Sequence, residues 1–299
     1  VATIASPPPR VDYLGRHGPA SRPAAIVWIM STSPARTARA PRIGDHLREW
    51  RQRRRLSQMD LALGAEISTR HLSFVETGRA SPSREMILHL AEQLDIPLRE
   101  RNVLLVAGGF APVFPERSLA DPAQAAARAA IDIVLNAHEP YPAIAVDRHW
   151  TLIAQNGAIA PLLEGCDPSL IEAPANVMRI GLHPKGLAPR IENFGEWRAH
   201  LLMRLKRQVE LTADPVLVQL HAELSAYPTD IATRRAARPA EANDLFVPVR
   251  LASSLGPLSF VSTTTVFGTP IDVTLAELAI ETFLPADAAT AEALRRAAA

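Results

Sequence analysis

Thr69, Arg70, His71 and Ser73 place hydroxyl, guanidinium and imidazole groups close together along one predicted helix. A helix that reads DNA needs small or polar side chains on its outward face, because it must approach base edges closely and offer donors and acceptors there. Arg70 has the fork for a bidentate contact to guanine, and Thr69 can donate to a base edge or pack against it. Gln58 is placed to reach a phosphate or an outer base. Arg79, beyond the helix, and Arg53, Arg54 and Arg55, ahead of it, would neutralise phosphates.

The elements that must position these groups are legible around them. Leu56 to Pro82 reads LSQMDLALGAEISTRHLSFVETGRASP. Ser57 caps a short helix from Gln58, a tight connection falls at Glu66-Ile67, and Ser68 caps a second helix that Gly78 stops. Two helices joined so tightly outline a helix-turn-helix. The ordinary alternative is a small helical bundle with a polar surface. The joint placement of Gln58, Ser68, Gly78 and Ser81-Pro82-Ser83 argues against it. Further helices are expected at about 43–54, with Ile43, Leu47 and Trp50 in step, after the Ser83 cap with Met86, Ile87, Leu90 and Leu94, and at about 98–107.

Charge supports this reading. The whole chain of 299 residues has a net charge of +1, yet residues 36 to 55 hold eight arginines against Asp45 and Glu49. From residue 80 onward, 19 basic residues face 25 acidic ones. A basic end and an acidic remainder suggest that one part meets a polyanion, although an arginine run is also what a solvated helix face looks like. Cys166 is the single cysteine. It permits no internal disulfide, which fits a reducing compartment, and it rules out a zinc site built on several cysteines. With no basic residue or second cysteine beside it, a buried or incidental cysteine is expected rather than a redox sensor. The apolar run 24–30 is too short to span a bilayer and lacks a cleavage signature. A soluble, cytoplasmic protein is expected, with no membrane partner.

The remaining two-thirds reads as a pocket-former. Trp150, Phe194, Trp197, Phe260 and Phe267 are candidates to line an apolar cavity. Arg179, His183, His200 and Arg204 are candidates to hold a polar or anionic head group. His200 and Arg204 stand one turn apart on a shared helix face. Aromatic residues at such spacing are also ordinary core, and His183 before Pro184 also suits a loop residue that satisfies a backbone group. Enzyme signatures are missing: there is no glycine-rich phosphate loop, no HExxH and no G-x-S-x-G. The spacing of His183, Glu196 and His200 suits no common metal site. Neither catalysis, nor a metal, nor a cofactor is expected.

Residues 1–40, rich in Pro, Ala, Ser and Arg, are expected to form a disordered arm or upstream extension, with Met30 a plausible natural start. A helical domain follows at 41–109, then a linker at 110–122, then a mixed domain at 123–299. In the last, helices are expected at 123–138, 156–164, 192–211 and after Asp214-Pro215. A hairpin is expected over 142–156, and strands at 246–251 and 258–267 joined at Gly256-Pro257. Residues 274–283 and the tail from Ala286 are expected to be helical.

Residues 43–107 resemble the Xre/Cro-type, lambda-repressor-like helix-turn-helix family. The resemblance rests on Leu56-Ser57-Gln58, Leu61-Ala62, Ile67-Ser68, Leu72-Ser73-Phe74-Val75-Glu76-Thr77-Gly78 and Pro82-Ser83; members usually carry Ile-Glu-x-Gly where this chain has Val75-Glu76-Thr77-Gly78. It implies an all-α five-helix domain whose third helix reads DNA, with contact roles for Gln58, Thr69, Arg70 and Ser73. Residues 118–296 resemble the ligand-binding domain of MmyB-like regulators. Here the residues are 142–146 with Trp150 and Asn156, 176–179 followed by 182–187, and 267–274 with Glu277-Leu278. That resemblance implies an α+β, PAS-like domain, a small antiparallel sheet with helices round a cavity, associated with a lipid-like occupant. Asn156 thereby joins the candidate ligand contacts.

Together these readings lead to the expectation of a homodimeric, operator-binding regulator that senses a small apolar or amphipathic molecule, a fatty-acid-like one included. The rival expectation is a DNA-binding protein whose second domain serves only dimerisation or protein contacts.

Overall fold

A computed structural model describes residues 12–13, 42–229, 247–268, 270 and 272–298. The expected Met30 start and the rest of the arm lie outside these residues. The chain divides into two compact units at Pro115 and Glu116.

The first unit holds five helices: α1 (Ile43–Arg53), α2 (Gln58–Gly64), α3 (Thr69–Glu76), α4 (Arg84–Gln93) and α5 (Leu98–Ala107). Serines start three of them. Ser57, Ser68 and Ser83 accept hydrogen bonds from the backbone N–H of Asp60, His71 and Met86, each such cap stabilising its helix by about 1 kcal/mol. Leu47, Leu61, Leu72, Val75, Ile87, Leu90 and Leu105 form a core closed to solvent. Two glycines are set by geometry. Gly78 turns left-handed at φ 72° to end the α3 segment, and a Cβ on Gly44 would fall 2.4 Å from the Val75 carbonyl oxygen. Residue 44 is therefore what lets α1 touch the end of α3. The expected linker starts late: Phe110 and Val113 pack on this core, and Asn102 hydrogen-bonds the backbone of Val113 and Phe114.

The second unit holds α6 (Ala125–Ala137), β2 (Ala143–Val146), β3 (Leu152–Gln155), α7 (Pro168–Ile171), α8 (Val177–Leu182), α9 (Phe194–Thr212), α10 (Pro215–Ser225), β4 (Val249–Ser253), β5 (Gly256–Val266), α11 (Val273–Ala276), β6 (Ala279–Pro285) and α12 (Ala288–Ala298). All strand pairs are antiparallel, in the order β3-β2-β6-β5-β4. A two-residue strand, β1 (Asp12–Tyr13), pairs with the outer edge of β3. One sheet face is paved with Ala143, Ala145 and Ala154, whose small side chains let Ile131 and Leu135 of α6 pack close. The other face looks toward α8 and α9 across a larger apolar core.

Residues 279–283, expected to be helical, are instead β6, the central strand. The stretch AIETF reads as helix from its Ala and Glu. Pairing with β2 on one side and β5 on the other supplies a full ladder of backbone hydrogen bonds, and that tertiary pairing overrides the local propensity. Helix remains of that stretch only at Val273–Ala276. The β4–β5 turn falls at Ser254-Leu255, with Gly256 and Pro257 already inside β5.

Candidate nucleic-acid interface and ligand cavity

The outward side of α3 is open. Ser68, Thr69 and Arg70 are exposed, and His71 and Ser73 are partly so. The Arg70 guanidinium lies over the Phe74 ring at 5.4 Å and that of Arg79 at 5.9 Å, so one aromatic face steadies two cations. Behind this face a buried network ties three helices. Arg51 of α1 donates through Nε to Glu76 Oε1 at 2.7 Å and through Nη2 to Oε2 at 2.9 Å. Gln58 of α2 donates to the same Oε2 at 2.8 Å. Glu76 of α3 is thus the shared acceptor, and its charge and hydrogen bonds raise the Arg51 pKa. Gln58, expected at phosphate, also orients α3. Ser68, expected as a DNA contact, caps α3.

The three arginines ahead of Leu56 separate. Arg53 is exposed and pairs with Glu49. Arg55 is exposed at φ 57°. Arg54 departs from the expected phosphate role: its Nε donates to the Leu94 carbonyl at 2.7 Å and its Nη2 to the Asp95 carbonyl at 2.8 Å. Carbonyls at the end of α4 have no intrahelical partner, and this guanidinium supplies one.

The second unit contains an apolar cavity of about 130 Å³; one water needs about 10–15 Å³ on this measure. Leu152, Ile144, Val249, Leu251, Phe260 and Phe283 line it from the sheet. Met178, Ile180, Trp197 and Leu201 line it from α8 and α9, and Ile159, Leu162 and Leu163 from the 3₁₀ turn at 157–163. Of the candidate ligand contacts, Trp150, Trp197, Arg204 and Phe260 do line it.

The other candidates do not. Asn156 is buried in a structural role, receiving the Ala143 N–H and donating to the Leu135 and Tyr141 carbonyls. Arg179 forms a bidentate pair with Glu223, both bonds 2.8 Å, and Glu223 also accepts from Tyr227, whose pKa is pushed up to about 12 chiefly by burial. His183 accepts the Lys185 N–H, the loop role that was its alternative. His200 stacks on the Trp197 ring at 5.5 Å, outside the lining; burial first, then the Arg204 charge, depress its pKa. Phe267 packs with the α6 cluster on the opposite face. Side chains alternate along a strand, so with 260 and 262 facing the cavity, 267 follows the other parity. Phe194 is buried core.

Three polar cavity residues escaped sequence reasoning: Gln155, Ser262 and Glu281. The missed strand hid Glu281. Arg204 pairs with Glu281 through Nη1 to Oε2 at 3.0 Å and Nη2 to Oε1 at 2.5 Å, and Thr264 donates to Oε1 at 2.7 Å. The Arg204 guanidinium also lies 4.6 Å from the Trp150 ring centroid. Trp150 itself has φ 66°, a costly geometry for a tryptophan, and its indole N–H donates to Gln208 at 2.8 Å. That hydrogen bond and the Arg204 stacking fix the ring at the wall.

Cys166 is buried, and burial raises its pKa. Among the described residues, no group of three or more His, Cys, Asp and Glu side chains is placed to hold a metal ion, and no helix is long and apolar enough to cross a membrane.

Residues 42–104 match a helix-turn-helix domain model, and residues 127–297 match the model of the MmyB-like transcription regulator ligand binding domain. No curated protein matches the chain. Both matched families are regulatory binding domains, one for DNA and one for a ligand. The second match covers more than half of the chain, so the open-faced helical unit and the cavity-bearing sheet unit are the two halves of a DNA-binding transcriptional regulator that belongs to the MmyB-like family.

Proposed function

We propose that this chain is a cytoplasmic, homodimeric regulator that binds an operator through α3 and responds to a small apolar or amphipathic molecule held in the cavity of its second unit. The cavity carries this reading. A closely packed domain serving only dimerisation has no need of such a void, because unfilled apolar space forfeits packing energy. A lining of leucine, isoleucine, valine, phenylalanine and tryptophan favours an apolar body, and a few polar side chains provide orientation.

In the DNA-binding half, Arg70, Thr69 and Ser73 supply base contacts, and Arg53, Arg55 and Arg79 supply phosphate contacts. A dimer would engage an inverted repeat with half-sites about 34 Å apart. Occupancy would change operator affinity by favouring one dimer arrangement, which requires different ligand affinity in the two arrangements.

Selection from random DNA by the full chain tests the first half. Enrichment of one inverted repeat, lost in Arg70→Ala, supports it; no enrichment contradicts it. Native mass spectrometry of protein from its natural host tests the second. A small molecule released by organic solvent supports sensing, while a mass matching the bare chain favours the dimerisation-only rival.

A further inference from the structure

The polar groups of the cavity specify the head group it accepts. Gln155, Ile144, Glu281 and Thr264 lie opposite one another across β3, β2, β6 and β5. Directly opposed residues in antiparallel strands share a face, so these four form one row on the cavity side. At one end of the row, charge is already balanced. The Glu281 side chain is 4% exposed, and both its oxygens are taken by Arg204 and Thr264. Among the described residues, Arg204 is the one cation in the lining. A carboxylate could recruit it only by leaving Glu281 as a buried, unpaired charge, which a protein interior strongly disfavours.

At the other end stands an unmet acceptor. Gln155 lines the cavity, and its Oε1 is buried with no hydrogen-bond partner. Buried polar atoms in folded proteins nearly always have partners, and one without a partner calls for an explanation. A donor brought by the occupant would provide it.

We infer that the occupant is a neutral amphipath whose head group donates a hydrogen bond to Gln155, a hydroxyl or amide N–H on an apolar body, and not an anionic carboxylate. The inference rests on the proposed ligand-sensing role of the same cavity. It gives Arg204 and Glu281 a structural task, closing the cavity and fixing Trp150, in place of head-group capture.

Three probes of similar size separate the possibilities: octan-1-ol, which donates; 1-methoxyheptane, which only accepts; and octanoate at pH 8, an anion. Binding to the full chain is followed by the fluorescence of Trp150 and Trp197. Octan-1-ol should bind about 3–10-fold more tightly than the ether, the value of one hydrogen bond, and at least about tenfold more tightly than octanoate. In Gln155→Leu, checked for native circular dichroism, the alcohol should lose its advantage over the ether. Octanoate binding as tightly as the alcohol would overturn the inference and leave ligand sensing intact. Equal binding of alcohol and ether by the parent protein would overturn it as well. Failure of all three probes to bind would overturn the sensing role itself, and the inference with it.

Discussion

Replacing Glu76 by alanine is the sharpest perturbation of the DNA-reading unit. Glu76 is buried and accepts from Arg51 on α1 and Gln58 on α2 while standing on α3. Its removal strands the Arg51 guanidinium, which keeps only the Leu56 carbonyl. Breaking a buried pair by deleting one partner costs about 3–5 kcal/mol, since the remaining charge is uncompensated. At roughly 1.4 kcal/mol per factor of ten, amide protection across peptides spanning 43–107 should fall about 10²–10⁴-fold. Hydrogen exchange read by mass spectrometry on the full chain reports on this unit separately, because local stabilities are resolved peptide by peptide. Protection across 123–228 should hold. The double variant Arg51→Met, Glu76→Leu should recover most of the loss, since apolar residues of similar volume replace such pairs well. If Glu76→Ala leaves protection within threefold of the parent, the network does not hold the three helices together.

Arg70→Ala should cost about 1–3 kcal/mol of specific binding and relax preference at one base position, measured on a selected operator and its point variants; an unchanged preference would exclude Arg70 from base reading. Arg53→Gln and Arg55→Gln together should lower the log–log salt slope of binding by about 1.8, at about 0.9 per phosphate contact. Arg54→Gln should leave that slope in place, because its guanidinium is bonded to the end of α4; a drop of the same size per residue would contradict that assignment. His200 titrates below its ordinary 6.5 in the folded chain. The unfolded chain therefore binds more protons between the folded pKa and 6.5, and stability is lost as pH falls through that window. Thermal unfolding at pH 7.5 and 5.5 should show a smaller pH-dependent loss in His200→Gln than in the parent, and parallel losses would exclude His200.

The helix-turn-helix was legible because its signals are local. Serine caps at 57, 68 and 83 and the left-handed Gly78 each act within a few residues, and the structure places all four as the sequence indicates. The second unit depends on partners far apart in the chain. Nothing near residue 281 announces that it pairs with Arg204, or that 279–285 sits between two strands. Arg179 looked like an anion ligand because Glu223, its partner, lies 44 residues away. The aromatic positions divided by strand parity and helix face, and parity became readable only once the register of β5 was known. Trp150 and Trp197 thus reached the cavity while Phe267 went to the other side of the sheet.

Operator affinity measured on one selected DNA fragment, with the cavity saturated by a bound probe and again after the probe is removed, tests the coupling of the two units directly. Regulation by occupancy predicts a change of about 5–150-fold, the range of ordinary coupling free energies. The same affinity in both states, with the probe shown to be bound, would contradict it.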